Sequence, residues 1–594
     1  MDITKNYYLY VTANIVFLLM KIKRINRYTV NMPRPVLILI YLTLAFSCKS
    51  VSPVSEKPRK NESIHINQTG YLPNSEKTFL IPAETVEKSK KFSVIEQKTG
   101  TAVFEGILAP ETINDLTLSG LLLARGDFTN LTAPGTYRIR VGKSVSSRFS
   151  INPDIYLPLA EDALRSLSLV RANMEIHDAE TGLSHSAGHH SDRSINGRDF
   201  SGGWYNAGDY GKWTHCSAIT AANLLTFYML NAENSLRTND GLRIPESGNG
   251  IPDILDEARW GIEWLIKMQN ADGSVYHKVD SEPDFAWGKS PEEDPHERTA
   301  KWTDRNGKIP STIDAADFCG ALGLASRVFK PIDPGFSGKC AKAALRTWQW
   351  LKLHPDNPQT DPYYTDYDPA QELFWAAAEI YLLTNREEGE NIITASPCLY
   401  LINPTGWQTP ELIGTIALLE SDMLPATLRN MLEYSLRTTS DSLLAKSKAH
   451  AFGHSADSFW WGSNQYVLGT GQILAYAAGY FGNEGYRQCA LDQLHYLLGR
   501  NALGISFTCG HGEVSVRHPY HWAYYVYGVA LPGWMAGGPN ASDTGGDRIL
   551  EEIQNKGTPP ALHYADVCGP SGSYASNEGT ITMSSSLVLL AGMF

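Results

Sequence analysis

The chain has 594 residues, which is longer than one ordinary domain of roughly 100–200 residues. Apolar residues make up 43% and charged residues 19%, so the chain can form a packed core and global disorder is excluded. The formal net charge is −12, and this acidic balance argues against a nucleic-acid partner, which would require a basic face.

Residues 1–47 contain an apolar stretch with the pattern of an export signal. Residues 36–46 are apolar, follow Arg34 and are fewer than the roughly 20 residues that a membrane-spanning helix needs. Met32 stands just before this stretch, and we predict that translation starts there. The residues before Met32 would then be an upstream extension, followed by a signal peptide.

Cys48 directly follows the apolar stretch and Ser47. This arrangement is similar to the lipobox of bacterial lipoproteins, although Phe46 is larger than the residue usual there. We therefore expect an exported bacterial lipoprotein whose attachment to the membrane is a lipid on Cys48. The alternative is an ordinary secretion signal cleaved near this point. Residues 48–62 have the composition of a linker and are predicted to be a tether.

Residues 63–152 have the pattern of short β-strands. Tyr137, Ile139 and Val141 alternate with arginines, and Ile64 alternates with polar residues in the same way. A period of two is typical of half-buried strands. Short strands separated by turn residues over such a length predict an all-β sandwich.

Residues 157–594 have helical periodicity instead. The apolar residues Ile251, Leu255, Ala258 and Ile262 recur every three or four positions, which places them on one helix face. This helix continues to Leu265, and others are predicted near residues 158–172, 216–232, 313–329, 340–354, 369–384, 408–422, 425–440, 465–480, 487–499 and 582–593. About eleven helices with long loops favour a toroid of paired helices, because a solenoid would show a fixed repeat.

The loop 202–213 contains a carboxylate, Asp209, between small residues and aromatic ones. A carboxylate among flat aromatic faces suits a sugar site, because the rings stack on C–H faces while polar groups bind hydroxyls. Tyr205 is one of the candidate stacking rings. The alternative is a tight turn that caps the next helix. The motifs of serine hydrolases, zinc peptidases and nucleotide-binding proteins are absent from the sequence.

Two further loops combine glycine with polar and aromatic residues. Residues 573–580 contain Glu578 shortly before the last predicted helix, where a structural role at the helix start is the alternative. Residues 517–522 contain His518, Tyr520 and Trp522. Histidines beside aromatic rings in a loop favour a binding edge.

These three loops resemble the family 9 glycoside hydrolases, the cellulase family with an (α/α)6 barrel. The run Ile64–Pro73 is similar to the opening of the immunoglobulin-like domain that precedes many of these barrels, and residues 244–257 and Phe459–Asn464 are typical of the family. The resemblance implies a multidomain chain. A small all-β immunoglobulin-like sandwich, residues 63–152, is followed by a large all-α (α/α)6 barrel, residues 157–594.

The resemblance also implies an inverting mechanism with two carboxylic residues. Asp209 matches the general base that activates water, and Glu578 matches the general acid that protonates the leaving oxygen. An inverting pair stands roughly 6.5–9.5 Å apart to leave room for water. Asn206 stands where the family usually has an Asp that helps to hold this water. The amide retains hydrogen-bonding capacity without charge.

His518 matches a substrate-contacting histidine of the family, and Trp522 replaces an arginine that binds sugar hydroxyls. We expect Tyr205, Tyr520 and Trp461 as further substrate contacts. The expected function is endo-hydrolysis of β-1,4-glucosidic bonds in β-glucan polysaccharides or oligosaccharides. The alternatives are an exo-acting enzyme on cello-oligosaccharides or glucosamine oligosaccharides, or a catalytically weak glycan-binding protein.

No cofactor is expected for the chemistry, and the resemblance leaves structural calcium open without assigned ligands. His185, His189, His190 and Asp192 are crowded together in the sequence. Such a cluster can bind a metal ion, but a solvated polar loop is the preferred interpretation. The eight cysteines contain no CxxC pair, and most are expected to be buried free thiols.

Overall fold

The computed structural model describes residues 64–86, 90–282, 286–302 and 309–594. The predicted upstream extension, the export signal, the tether and Cys48 lie outside these residues. None of the helices within the described ranges combines the length and apolar character that crossing a bilayer requires.

The first part of the described chain is a sandwich of two β-sheets. Its strands are β1 (Gly70–Tyr71), β2 (Thr78–Pro82), β3 (Lys91–Glu96), β4 (Ala102–Ile107), β5 (Ile113–Asp115), β6 (Leu121–Asp127), β7 (Gly135–Val141), β8 (Ser144–Val145) and β9 (Phe149–Ile151). One sheet has the order β1-β9-β7-β3-β4, with β8 beside β7, and the other has the order β2-β6-β5.

The alternate apolar residues of β7 belong to the core of this sandwich. Tyr137, Ile139 and Val141 are buried, as their spacing predicts, and they pack with Phe79 and Phe92 between the sheets. The register pairs Phe92 with Val141 across β3 and β7. Apolar side chains on alternate positions therefore fill the space between the two sheets.

From residue 157 the chain is mainly helical. The helices are α1 (Leu157–Ser168), α2 (Thr214–Leu230), α3 (Asp253–Met268), α4 (Thr312–Phe329), α5 (Pro334–Leu351), α6 (Ala370–Leu383), α7 (Glu390–Ala395), α8 (Glu411–Leu419), α9 (Ala426–Ala449), α10 (Ser463–Phe481), α11 (Glu484–Leu497), α12 (Trp522–Tyr527), α13 (Arg548–Asn555), α14 (Tyr574–Asn577) and α15 (Ile581–Ala591). Short strands connect some of them, namely β10 (Ile176–His177), β11 (Ser184–His185), β12 (Lys212–Trp213), β13 (Lys278–Glu282) and β14 (Glu297–Lys301).

Six of the described helices are buried around most of their circumference and form an inner ring: α2, α4, α6, α8, α10 and α15. A helix that is apolar on all sides must be covered on all sides. The outer helices α1, α3, α5, α7, α9 and α11 alternate with the inner ones along the chain. The ring closes where α15 packs against α1 and α2. The predicted all-α toroid after a β-sandwich is therefore confirmed.

Each of the eleven predicted helices corresponds to an observed helix. On α3, the predicted face of Leu255, Ala258 and Ile262 is fully buried, whereas Ile251 lies before the helix begins. The prediction missed the helices α7, α12, α13 and α14 and the sheet formed by β12, β13 and β14. Six of the described cysteines are buried and none of those described forms a disulfide, as expected.

Candidate active site

Asp209 and Glu578 are brought together by the closure of the helical ring. Asp209 lies in the loop that leads into α2, and Glu578 lies in the loop that leads into α15. Because α15 packs against α2, the two loops meet. The backbone N–H of Gly208 donates to Oε1 of Glu578 at 2.9 Å, and the N–H of Ile581 donates to the carbonyl of Asn206 at 2.9 Å.

Gly208 is the point of closest approach between these loops. A Cβ atom at this position would stand 2.7 Å from the carbonyl oxygen of Tyr520 and 2.8 Å from Oε1 of Glu578. Any other residue would push the Glu578 carboxyl away from the backbone N–H that it accepts from. The glycine before Asp209 is therefore required by the geometry of the site.

The two carboxyl groups have raised pKa values, for related reasons. Burial, reinforced by the nearby Asp280 carboxylate, raises the pKa of Asp209 to about 6. Burial, reinforced by Asp209 itself, raises the pKa of Glu578 to about 8. Near neutral pH, Asp209 is therefore ionised while Glu578 is protonated. One acid and one base with separated pKa values are what paired acid–base catalysis needs.

Asn206 is held from two sides within the same loop. Its Nδ2 donates to the hydroxyl of Tyr364 at 2.6 Å, and its backbone N–H donates to the carbonyl of Gly211 at 2.8 Å. Its Oδ1 is buried and has no hydrogen-bond partner within the described part of the chain. The side chain is thus fixed in orientation and leaves an acceptor available to a small ligand such as water.

Three residues beside this centre were not predicted from the sequence: Tyr364, Asp280 and Lys278. Nζ of Lys278 lies 3.2 Å from Asp280 and 2.9 Å from Asp361, and it stands 4.0 Å from the centre of the Trp213 ring. Nothing in the sequence separates these residues from other polar loop residues. Lys278 and Asp280 reach the site because β13 pairs with β12, directly after the Asp209 loop, whereas Tyr364 reaches it from the loop between α5 and α6.

Two of the predicted substrate contacts remain accessible to a ligand. The His518 side chain is 49% exposed, and its Nδ1 lies 3.4 Å from Asp566. Trp461 is 42% exposed, and its ring centre lies 5.8 Å from that of Tyr574. Tyr520 is only 8% exposed, but its ring lies between Tyr574 and Trp287, next to Gly208.

Tyr205 and Trp522 are not sugar-stacking residues, contrary to the prediction. Both side chains are fully buried and have no face that a sugar can reach. The Tyr205 hydroxyl lies 2.6 Å from Nδ1 of His189, and the Trp522 ring packs against Tyr205 and His185. These rings form the apolar support beneath the loops instead. Trp204, Trp213 and Tyr210 are buried as well.

The cluster around Asp192 is not a solvated polar loop, contrary to the preferred interpretation. Asp192 is fully buried, and its carboxylate lies 2.7 Å from Nζ of Lys212 and 3.1 Å from Nε of Arg298. His189 is also buried, and Asp294 lies 3.2 Å from its Nε2. The two cations hold the pKa of the Asp192 carboxyl well below its usual range. Asp192 and His189 thus belong to a buried ion-pair network that holds Lys212 on β12, whereas His190 is exposed.

The comparison with family models identifies the class of the protein. Residues 156–591 match glycosyl hydrolase family 9, and residues 59–146 match the cellulase N-terminal ig-like domain. The chain belongs to glycosyl hydrolase family 9 and is a glycoside hydrolase of the endoglucanase type.

Individual relatives are similar in sequence to this chain along almost its whole length. The chain is 30% identical to a xyloglucan-specific endo-β-1,4-glucanase of Bacteroides ovatus over 579 residues, which covers 89% of this chain and 93% of that protein. It is 28% identical to a cellodextrinase of Butyrivibrio fibrisolvens over 569 residues, which covers 89% of this chain and 98% of that protein. The crystal structure of a metagenome-derived family 9 endoglucanase superposes with a TM-score of 0.80 at 33% identity, over 89% of this chain and 98% of that one.

Proposed function

We propose that the protein cleaves internal β-1,4-glucosidic bonds of β-glucans with inversion at the anomeric carbon. The observation that carries this proposal is the meeting of Asp209 and Glu578 across the closure of the helical ring, with their pKa values at about 6 and about 8. Inversion needs a carboxylate on the side of the water and a carboxylic acid on the side of the leaving group.

In this proposal each residue has a defined role. Asp209 takes a proton from a water molecule, whose oxygen attacks the anomeric carbon. Glu578 gives its proton to the glycosidic oxygen as the bond to that carbon breaks. Oδ1 of Asn206, which is buried and has no protein partner within the described residues, accepts a hydrogen bond from the water. Tyr364 fixes the amide that makes this contact.

Substrate binding is assigned to accessible residues around the two carboxyl groups. We assign hydrogen bonding to His518, which is half-exposed, and stacking to Trp461. Trp287 is a further stacking candidate, because its ring is partly exposed and is itself held by Tyr525 at 4.2 Å between ring centres. Tyr520 supports Trp287 and the Gly208 backbone rather than forming an open platform.

The test follows product sizes over time. The chain without its first 48 residues is incubated with xyloglucan, carboxymethylcellulose, mixed-linkage glucan, cello-oligosaccharides and glucosamine oligosaccharides, beside the E578Q variant. Early mid-sized products that are lost in E578Q support the proposal. Release of only monomer or dimer would instead establish an exo-acting enzyme, which the similarity to a cellodextrinase favours as the second candidate.

Asn206 also motivates a non-catalytic alternative. A neutral amide in place of the family's usual carboxylate would suit a catalytically weak glycan-binding protein. Retained glycan binding without products from any of these substrates would favour that alternative and contradict the hydrolase proposal. Isothermal titration with the same glycans separates the two outcomes.

We also propose that the protein is exported and anchored by a lipid on Cys48. The support is the apolar stretch 36–46 directly before Ser47 and this cysteine. Expression in a bacterium with radiolabelled palmitate tests the proposal. Label that is present on the wild-type protein and absent from the C48A variant supports the proposal. An unlabelled wild-type protein in the culture medium contradicts it.

Hydrolysis in this proposal requires no cofactor, because water and the two carboxyl groups supply every proton transfer. We assign any bound calcium a structural role only. Protein treated with chelator should keep its kcat at a temperature well below its unfolding transition. A loss of kcat that added calcium restores, without a change in unfolding, would contradict this assignment.

A further inference from the structure

Three buried side chains from separate elements meet behind the Asp209 loop. His215 stands in the first turn of α2, His277 directly precedes β13, and Asp314 stands in the first turn of α4. One ligand atom from each residue can be chosen so that all three lie within 4.8 Å of one another. All three side chains are fully buried.

His215 has no partner that accounts for its burial. Within the described residues, neither of its ring nitrogens makes a hydrogen bond, and Nδ1 lies 3.4 Å from Oδ1 of Asp314. Native proteins rarely leave a buried polar group without a partner, because its lost hydrogen bonds to water are then not replaced. The His215 ring is nearly parallel to that of His277, with 5.6 Å between the ring centres. Both imidazoles therefore lie beside the same carboxylate.

The surroundings of His277 complete a set of ligands. Its Nδ1 lies 2.9 Å from Oδ2 of Asp314, and its Nε2 lies 3.7 Å from Asp361. A carboxylate behind a histidine is the usual outer partner of a metal-bound imidazole. Nε2 of the buried Gln359 lies 3.4 Å from Nδ1 of His277, and its Oε1 has no hydrogen-bond partner within the described residues. A half-turn of this amide would present an oxygen ligand at the same place.

We propose that His215, His277 and Asp314 bind a divalent transition-metal ion, with Zn²⁺ as the best match. Two imidazoles and a carboxylate are a common donor set for Zn²⁺, with Gln359 or a water molecule as the fourth ligand. The ion takes the place of the proton shared by His277 and Asp314. It joins α2, α4 and the start of β13, so its role is structural. The proposal does not depend on which glycan is cleaved.

The test measures Zn²⁺ directly. The full protein is stripped with a chelator, dialysed against a small excess of Zn²⁺ and analysed for bound metal. We expect one ion per chain and a melting temperature raised by about 2 °C when Zn²⁺ is present at a hundredfold its Kd. The variant H215Q should lose the ion and the shift.

H495Q is the matched control. His495, on α11, is also fully buried with neither ring nitrogen hydrogen-bonded within the described residues, and Asp492 lies 3.5 Å from its Nδ1. This variant should retain one ion per chain. Stripped wild-type protein that binds no Zn²⁺ would overturn the proposal, as would an H215Q variant that binds as much as the wild type.

A second measurement keeps the proposal testable if H215Q does not fold. X-ray absorption at the zinc edge of the loaded wild-type protein should show two imidazole nitrogens at about 2.0–2.1 Å with oxygen completing the shell. A shell of oxygen ligands alone would place the ion elsewhere and overturn the assignment.

Discussion

The Asp280 carboxylate should determine where the acidic limb of the pH–rate profile lies. Asp280 raises the pKa of Asp209 through like-charge repulsion, in addition to the effect of burial. The base must be ionised to accept a proton from water, so a lower pKa of Asp209 extends activity toward acid. The substitution Asp280→Asn removes this charge. It also removes one of the two carboxylates that pair with Lys278, whose cation lowers the pKa of Asp209; the pair with Asp361 remains. Both effects lower the pKa of Asp209.

The size of the effect follows from the positions of the two carboxylates. A Cβ atom placed on Gly211 would stand 3.4 Å from Oδ1 of Asp209 and 3.5 Å from Oδ1 of Asp280, so the two oxygens lie within about 7 Å of each other. At ~7 Å two like charges repel by about 0.6 kcal/mol in bulk water and about 2.4 kcal/mol at an effective dielectric constant of 20. A tenfold change in an equilibrium constant corresponds to about 1.4 kcal/mol. The acidic limb of the profile should therefore move to lower pH by about 0.4–1.7 pH units.

The assay is kcat/KM on a soluble β-1,4-glucan between about pH 4.5 and 9.5, because this ratio reports the groups of the free enzyme. The wild type should give a bell-shaped pH profile of kcat/KM. Its acidic limb should lie near pH 6, set by Asp209, and its basic limb near pH 8, set by Glu578. The control is E293Q, which removes the same charge from a side chain that is 62% exposed. It should leave both limbs in place. An acidic limb that stays fixed or moves up in D280N would refute the electrostatic reasoning.

Three further substitutions probe the same centre. Gly208→Ala should lower kcat by about 100-fold with little change in substrate binding, because the new Cβ displaces the Glu578 carboxyl; the kinetics are compared with the circular dichroism of the variant. Glu578→Gln should lower kcat by about 10²–10⁴-fold for substrates with poor leaving groups and much less for aryl glycosides, whose leaving groups need no proton; the two rates are measured side by side. Asn206→Asp should move the acidic limb up, because a second carboxylate near Asp209 opposes its ionisation while Tyr364 can reverse its hydrogen bond; the pH profile of kcat/KM checks this.

Much of the architecture could be predicted from local patterns in the sequence. The alternation at Tyr137, Ile139 and Val141 predicts the sandwich core, and the face around Leu255 predicts a helix, because burial on one side imposes a period. These are properties of single elements. A segment with strand periodicity followed by a segment with helical periodicity is therefore enough to predict both domains.

The site was predicted only where the residues carry a motif. The loop patterns around Asp209 and Glu578 predict both residues, but their meeting depends on the closure of the ring, since Gly208 and Glu578 are 370 positions apart. Tyr205 and Trp522 have the residue types of a sugar platform, yet tertiary packing buries them completely. Asp280 could not be predicted at all, because only the pairing of β13 with β12 places it beside the base. Side-chain exposure and distant contacts are not encoded in local spacing.

The stereochemistry of the product tests the central claim most directly. Time-resolved proton NMR of a cello-oligosaccharide digest shows which anomer of the new reducing end appears first, before mutarotation mixes the two. If Asp209 activates water while Glu578 protonates the leaving oxygen, the α-anomer should appear first from the β-linked substrate. Early appearance of the β-anomer would contradict the account, because it would require a covalent intermediate and a second displacement.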